Sequence, residues 1–179
     1  ADTILDQQIV EQTEAGRELD AQIDYRRPLG ESLRMEAGAR SSVEWLDNTF
    51  YSESLDLTLN AFLPDINLNN TFAYEEQVHA AYGIIGGDRG PFGAQVGVRV
   101  EQVFTAFDLR TTDESFDNDY LSFYPSAFLT YSPVDGRTLR LSYSKRVRRP
   151  STWQLNPCGD YDDPTSRRVG NPYLDPQYT

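Results

Sequence analysis

With 179 residues, 39% of them apolar and 12% aromatic, the chain has material for one moderate core and nothing that forces a second domain. A formal net charge of −12 argues against a nucleic-acid partner, because counterion release from a phosphate backbone needs a basic surface. The single cysteine, Cys158, permits no internal disulfide, and no apolar run of about eighteen residues exists to form a transmembrane helix. A membrane barrel stays open, since its strands meet lipid only at every second residue and so tolerate a mean hydropathy of −0.58.

Period two dominates wherever a period is visible. From Arg17, the polar Glu18, Asp20, Gln22 and Asp24 alternate with Leu19, Ala21, Ile23 and Tyr25, ending at the turn around Pro28 and Gly30. Leu33, Met35, Ala37, Ala39, Val43 and Trp45 then share one face of a strand, with Arg34, Glu36, Arg40, Ser42 and Glu44 on the other. From Leu46 to Thr71 the alternation is lost, which predicts a long polar loop with a few apolar anchors. Phe72, Tyr74, Val78, Ala80, Tyr82 and Ile84 restart the period, up to a turn at Gly86.

Val96, Val98 and Val100 oppose Gln95, Gly97, Arg99 and Glu101, and Phe104 and Ala106 extend the apolar face until "DLRTTDESFDND" opens a predicted acidic loop. Ala127, Leu129 and Tyr131 precede the compact turn "SPVDGRT", and Thr138 to Ser144 form a final alternating strand with Leu139, Leu141 and Tyr143 on its apolar side. The expected fold is therefore all-β: an antiparallel up-and-down meander of about six strands, without a convincing helix or a βαβ unit.

Connection lengths sort by end. Short turns near Pro28, Gly86 and Val134 alternate with long predicted loops near Asp47, Asp108 and Val147, the asymmetry of an outer-membrane barrel. In lipid an unpaired backbone group costs several kcal/mol, so a spanning sheet must close, and single-chain barrels start at about eight strands. Residues 1–179 are thus expected to be part of a larger barrel.

If the apolar face meets lipid, Arg34, Glu36, Arg99, Glu101 and Arg140 line the interior, since a lipid-facing Arg costs roughly 2–4 kcal/mol at mid-bilayer. His79 falls on the polar face of its run with Glu75 and Gln77, and joins this lumen-lining set. Glu76 breaks the rule by sharing the face of Tyr74 and Val78, and is placed above the hydrocarbon. Tyr25, Trp45, Tyr74, Tyr82, Tyr131 and Tyr143 are the expected aromatic girdle.

The stretches "YPSAFLTYSPVDGRTLRLSYSKRVRRPSTWQLNPCGDYDDP" and "VGNPYLDPQYT" resemble the late barrel region of TonB-dependent outer-membrane receptors of the outer membrane protein beta-barrel group. Tyr124–Pro125–Ser126, the Leu-Ser-Tyr-Ser strand, Arg148 to Ser151, Leu155–Asn156–Pro157, Asp163–Pro164 and Gly170–Asn171–Pro172 carry the likeness, supported upstream by "FAYEEQVHAAY", "GVRVE" and "DYRRPL". The resemblance implies a barrel of about 22 strands. It also implies a plug domain inside it and energised uptake of a scarce nutrient (a siderophore, oligosaccharide or peptide) through the TonB complex. The plug and remaining strands are expected outside residues 1–179.

Lys145, Arg146, Arg148 and Arg149 are then expected to leave the membrane on the outer side, toward lipid phosphates or acidic loops. Candidate ligand contacts in the outer loops are Arg148, Arg149, Trp153, Asn156, Tyr161 and Tyr173. The loop aromatics Phe50, Tyr51, Phe62, Trp153, Tyr161 and Tyr173 serve equally well as pins between loops, the plainer reading. The only histidine has no partners for metal or nucleophilic chemistry, and "GGDRGPFG" leads into a strand rather than a phosphate-holding helix, so no catalytic residue, enzyme activity or resident cofactor is expected. Loop-bound calcium on Asp113, Glu114, Asp117 and Asp119, or on Asp160, Asp162 and Asp163, is the one exception the sequence allows, and neither group has EF-hand spacing. Two readings compete with an importer: a soluble all-β ligand-binding module of carbohydrate-binding type, and a purely structural or adhesive barrel.

Overall fold

A computed structural model describes residues 7–66, 68–157, 160–163 and 166–179, those between 160 and 168 by their backbone alone. Strands β1 (Gln8–Pro28), β2 (Leu33–Asp56), β3 (Ala61–Pro64), β4 (Asn70–Arg89), β5 (Phe92–Leu109), β6 (Glu114–Val134) and β7 (Arg137–Ser144) form one antiparallel sheet in the order β1-β2-β4-β5-β6-β7, with β3 on the far end of β2. The sheet curls like half of a barrel. Beyond it lie β8 (Val147–Arg148), a single helical turn α1 (Thr152–Leu155), the hairpin β9 (Asp160–Asp163) with β10 (Ser166–Arg168), and β11 (Gln177–Tyr178) paired to β8.

The three tight connections fall at one end of the sheet, and each turns on a glycine in the left-handed region that side chains resist: Gly30 (φ 82°), Gly90 (φ 58°) and Gly136 (φ 78°). At the opposite end the structure departs from the sequence expectation. Strand β2 runs on to Asp56, and the predicted acidic loop is only the turn between Leu109 and Glu114, with Asp113 at φ 57°. Alternation disappears there because both faces of the sheet have left the hydrocarbon, so no burial contrast selects residue types. The β2 strand of 24 residues far exceeds the roughly 9–11 a tilted strand needs to cross. The asymmetry is therefore of strands projecting beyond the membrane as well as of loops.

Pairing register fixes the two faces, because directly opposed residues point the same way. One face carries Leu19, Ile23 and Tyr25 of β1, Leu33 to Trp45 at odd positions of β2, Val96, Val98 and Val100 of β5, Leu121 to Tyr131 at odd positions of β6, and Leu139, Leu141 and Tyr143 of β7. Most of these side chains are open to the outside on one predominantly apolar band; Ile23 is 72% and Leu141 70% accessible. Near the tight turns the stacked rings of Phe92 and Tyr131, 4.7 Å apart, border it.

The other face is polar and cross-linked. Arg40 pairs with Asp20 at 2.7 Å, Arg26 with Glu36 at 3.4 Å and Arg34 with Asp88 at 3.6 Å, while the Tyr82 hydroxyl donates to Asp24. Arg34, Glu36, Arg99, Glu101 and Arg140 all stand on this inner face.

Strand β4 is inverted relative to expectation. Glu44 opposes Glu76 and Leu46 opposes Tyr74, so Phe72, Tyr74, Val78, Ala80, Tyr82 and Ile84 belong to the inner face. His79, opposite Ser41 and Gln102, stands on the apolar face and does not line the interior with Glu101. Tyr74 and Tyr82 accordingly leave the girdle, and Glu76 needs no special placement. Alternation within one strand states a period but not a sign; the neighbours supply the sign.

Candidate functional site

The chain after β7 does not run away from the barrel. Lys145 N bonds Pro125 O at 3.1 Å, and residues 145–157 and 169–179 fold back as a strap whose strands β8 and β11 pair with each other. Leu155, in α1, seats in an aromatic cluster on the inner face with Leu46, Phe72, Tyr74, Phe107 and Leu109, where the Phe72 and Phe107 rings stack at 4.9 Å. Ser151 and Gln154 cap that single turn through the Ser151 N–H bond to Gln154 Oε1 at 3.0 Å.

Two of the motifs singled out in the sequence dock onto one another here. Gly170 N donates to Asn156 O at 2.9 Å and Asn171 N to Gln154 O at 2.7 Å. A side chain at position 170 would meet Asn156 O at 2.5 Å and Gln154 O at 2.6 Å, so only glycine permits the approach. Asn156 also accepts from Asn70 Nδ2 at 3.2 Å, tying the strap to the start of β4.

The polar anchor is Arg149. Its Nη2 donates to Glu101 Oε2, its Nε donates to the Tyr120 hydroxyl at 3.2 Å and lies 4.0 Å from Glu76 Oε2. Arg99 Nε takes the other oxygen of Glu101 at 2.6 Å, and the Tyr74 hydroxyl donates to Glu76 at 3.2 Å. Burial works against the Arg149 charge, but Tyr120, Glu101 and Glu76 outweigh it and hold the guanidinium protonated above its ordinary range. Beside this cluster the Tyr178 hydroxyl shares a 2.6 Å hydrogen bond with Ser122, and Lys145 Nζ lies 4.2 Å over the Tyr178 ring.

Of the expected ligand contacts, Arg149 is occupied as a structural anchor; in the basic run Lys145 lies over the Tyr178 ring, while Arg146 and Arg148 stay exposed. Asn156 is half-buried within the strap, whereas Arg148, Trp153 and Tyr173 are exposed on it, Trp153 at 66% and Tyr173 at 71%. Tyr173 also meets Phe116 edge-on at 5.5 Å, as a pin would. Tyr161, like Asp160, Asp162, Asp163 and Cys158, lies outside the residues whose side chains are described. Tyr120 and Tyr178 are not among the site residues the sequence suggests, and Glu76 is marked there only by its broken parity. Among the described residues no three His, Cys, Asp or Glu side chains gather to hold a metal ion.

Residues 2–179 match the family model described as outer membrane protein beta-barrel family. Comparison with curated proteins finds no match. Among solved structures, the ferric citrate transporter FecA in its unliganded form is similar over 78% of this chain, with a TM-score of 0.58 and 14% identity. The chain spans 21% of that transporter's length, and at this identity the likeness is one of fold. The chain belongs to the outer membrane protein beta-barrel family: its apolar band faces outer-membrane lipid, and a soluble module is set aside.

Proposed function

We propose that residues 1–179 are a segment of the wall of a TonB-dependent outer-membrane importer, which takes up a scarce nutrient and catalyses no reaction. The observation that carries this reading is the strap held against the inner face by Arg149, Glu101 and Leu155, which leaves Arg148, Trp153 and Tyr173 exposed at the end away from the tight turns. Exposed aromatic rings and a guanidinium carried on one strap suit stacking on a sugar or chelator and pairing with an anionic group. A plug inside the complete barrel would supply the contact to the TonB complex.

The test is uptake by cells carrying the full-length protein. With a panel of ferric siderophores, oligosaccharides and short peptides, one substrate should accumulate only while the inner membrane is energised, and accumulation should vanish on deletion of the gene. Uptake indifferent to a protonophore would reject TonB-dependent import; binding without uptake would favour the adhesive barrel.

A further inference from the structure

The ribbon of β8 and β11 has two sides, and its register sorts them. Val147 opposes Tyr178 and Arg148 opposes Gln177, while Arg146 N donates to Thr179 O at 2.7 Å and Thr179 N to Arg146 O at 3.0 Å. Directly opposed residues share a face, and successive residues alternate between faces. Tyr178 reaches the wall through its 2.6 Å bond with Ser122, and Arg149 reaches it through Glu101, so Val147, Arg149 and Tyr178 form the wall side. Arg146, Arg148, Gln177 and Thr179 form the side turned away from the wall, and all four are exposed.

The fold leaves these two arginines without a counter-charge. On the inner face of the sheet Arg26, Arg34, Arg40 and Arg99 each have a carboxylate within 4.0 Å, and so does Arg149 of the strap. Among the described residues no acid pairs with Arg146 or Arg148, although the chain carries a net charge of −12. Two positions apart on one strand, their Cα atoms are separated by roughly 6.6 Å, close enough for both guanidiniums to close on one small molecule. Each guanidinium fork matches the paired oxygens of a carboxylate or phosphate. Two like charges held side by side repel, and a multiply charged anion relieves that repulsion where a neutral sugar does not. The Gln177 amide opposite Arg148 and the Thr179 hydroxyl opposite Arg146 add uncharged donors to the same side.

We infer that this side of the ribbon is an anion clamp for a small ligand bearing two or more oxyanion groups, carboxylate or phosphate, with Arg146 and Arg148 taking one group each. The inference rests on the importer reading and narrows its substrate from any scarce nutrient to a multiply charged anion. Arg149, Glu101 and Leu155 fix the ribbon to the wall independently of any ligand, so the two guanidiniums start from a backbone already in place.

Purified full-length protein in mild detergent is titrated calorimetrically at low salt with tricarballylate, pyrophosphate, propionate and maltotriose. Tricarballylate or pyrophosphate should bind at least about tenfold tighter than propionate, and the tighter of the two identifies the oxyanion, while maltotriose should give no oxyanion-competitive binding. Arg146→Gln and Arg148→Gln should each weaken that binding about tenfold, and the two together should reduce it to the level of propionate. Arg137→Gln, which removes an exposed arginine at the tight-turn end, should leave it unchanged; retained heat-modifiable gel mobility verifies folding of each variant. Multivalent anions bound no tighter than propionate, undiminished binding in the doubly substituted protein, or equal loss in Arg137→Gln would each overturn the clamp. Energised uptake of a neutral substrate without oxyanion binding would overturn the clamp and leave the importer standing, whereas oxyanion binding without energised uptake would reject the importer and leave the clamp standing.

Discussion

Arg149 and Arg99 divide one carboxylate between them: Arg149 Nη2 bonds Glu101 Oε2, and Arg99 Nε bonds Glu101 Oε1. Arg149 arrives from the strap and Arg99 from the strand itself, so a single residue of β5, 6% exposed, joins the outer segment to the wall.

Breaking a buried pair by removing one charge costs about 3 kcal/mol or more, because the partner stays desolvated. Glu101→Gln leaves Arg149 with only Glu76 and Tyr120 and should loosen the strap while sparing the sheet. Hydrogen exchange of the full-length protein should show amides of 147–157 exchanging much faster, with β5 and β6 unchanged. An unaltered strap would mean that the pair is not the anchor.

Gly170→Ala should act on the same segment from its other side. The new methyl would press on two carbonyl oxygens, an overpacking cost of about 1–3 kcal/mol. Limited proteolysis should cut near residues 169–173 in the variant under conditions that leave the parent intact.

Leu141→Arg and Ser142→Arg put the same charge on adjacent positions of β7, one on each face. The first meets hydrocarbon and should cost about 2–4 kcal/mol; the second points inward and should be nearly neutral. Urea unfolding of the refolded full-length barrel in vesicles separates them, and equal costs would contradict the assignment of faces.

The hairpin beyond β2 carries a pH dependence. Asp56, well above Trp45 and clear of the hydrocarbon, accepts the backbone N–H groups of Leu59 at 3.0 Å and Thr58 at 2.7 Å, which hold its carboxyl below the usual range. A depressed folded pKa means that this stabilisation is complete above the ordinary carboxylate range and disappears as pH falls through the folded value. Amide exchange at Thr58 and Leu59, corrected for intrinsic rate, should lose protection in acid. Asp56→Asn should remove most of that dependence.

Much of this architecture is legible in the residues. Strands β2, β5, β6 and β7 show their faces because one side must be apolar and the other wet, and Leu141 beside Ser142 needs no coordinates to interpret. Strand β4 is different, as both of its sides mix chemistries. Phe72 and Tyr74 face inward because Leu155, far along the chain, covers them, while Gln77 and His79 face outward at the rim of the band. Only the opposition of Glu44 to Glu76 resolves it. The strap was hidden for a related reason. Arg149 reads as one of several surface cations until the fold brings Glu101 and Tyr120 to it.

The orientation of β4 is therefore the sharpest probe of the whole account. Nitroxide labels placed singly from position 78 to 85 of the full-length protein in membranes report collision with oxygen, which concentrates in lipid. Accessibility should peak at 79, 81, 83 and 85 and fall at 78, 80, 82 and 84. The opposite phase would place Tyr82 and Ile84 in lipid and His79 inside, and would contradict the arrangement of the two faces on which everything else depends.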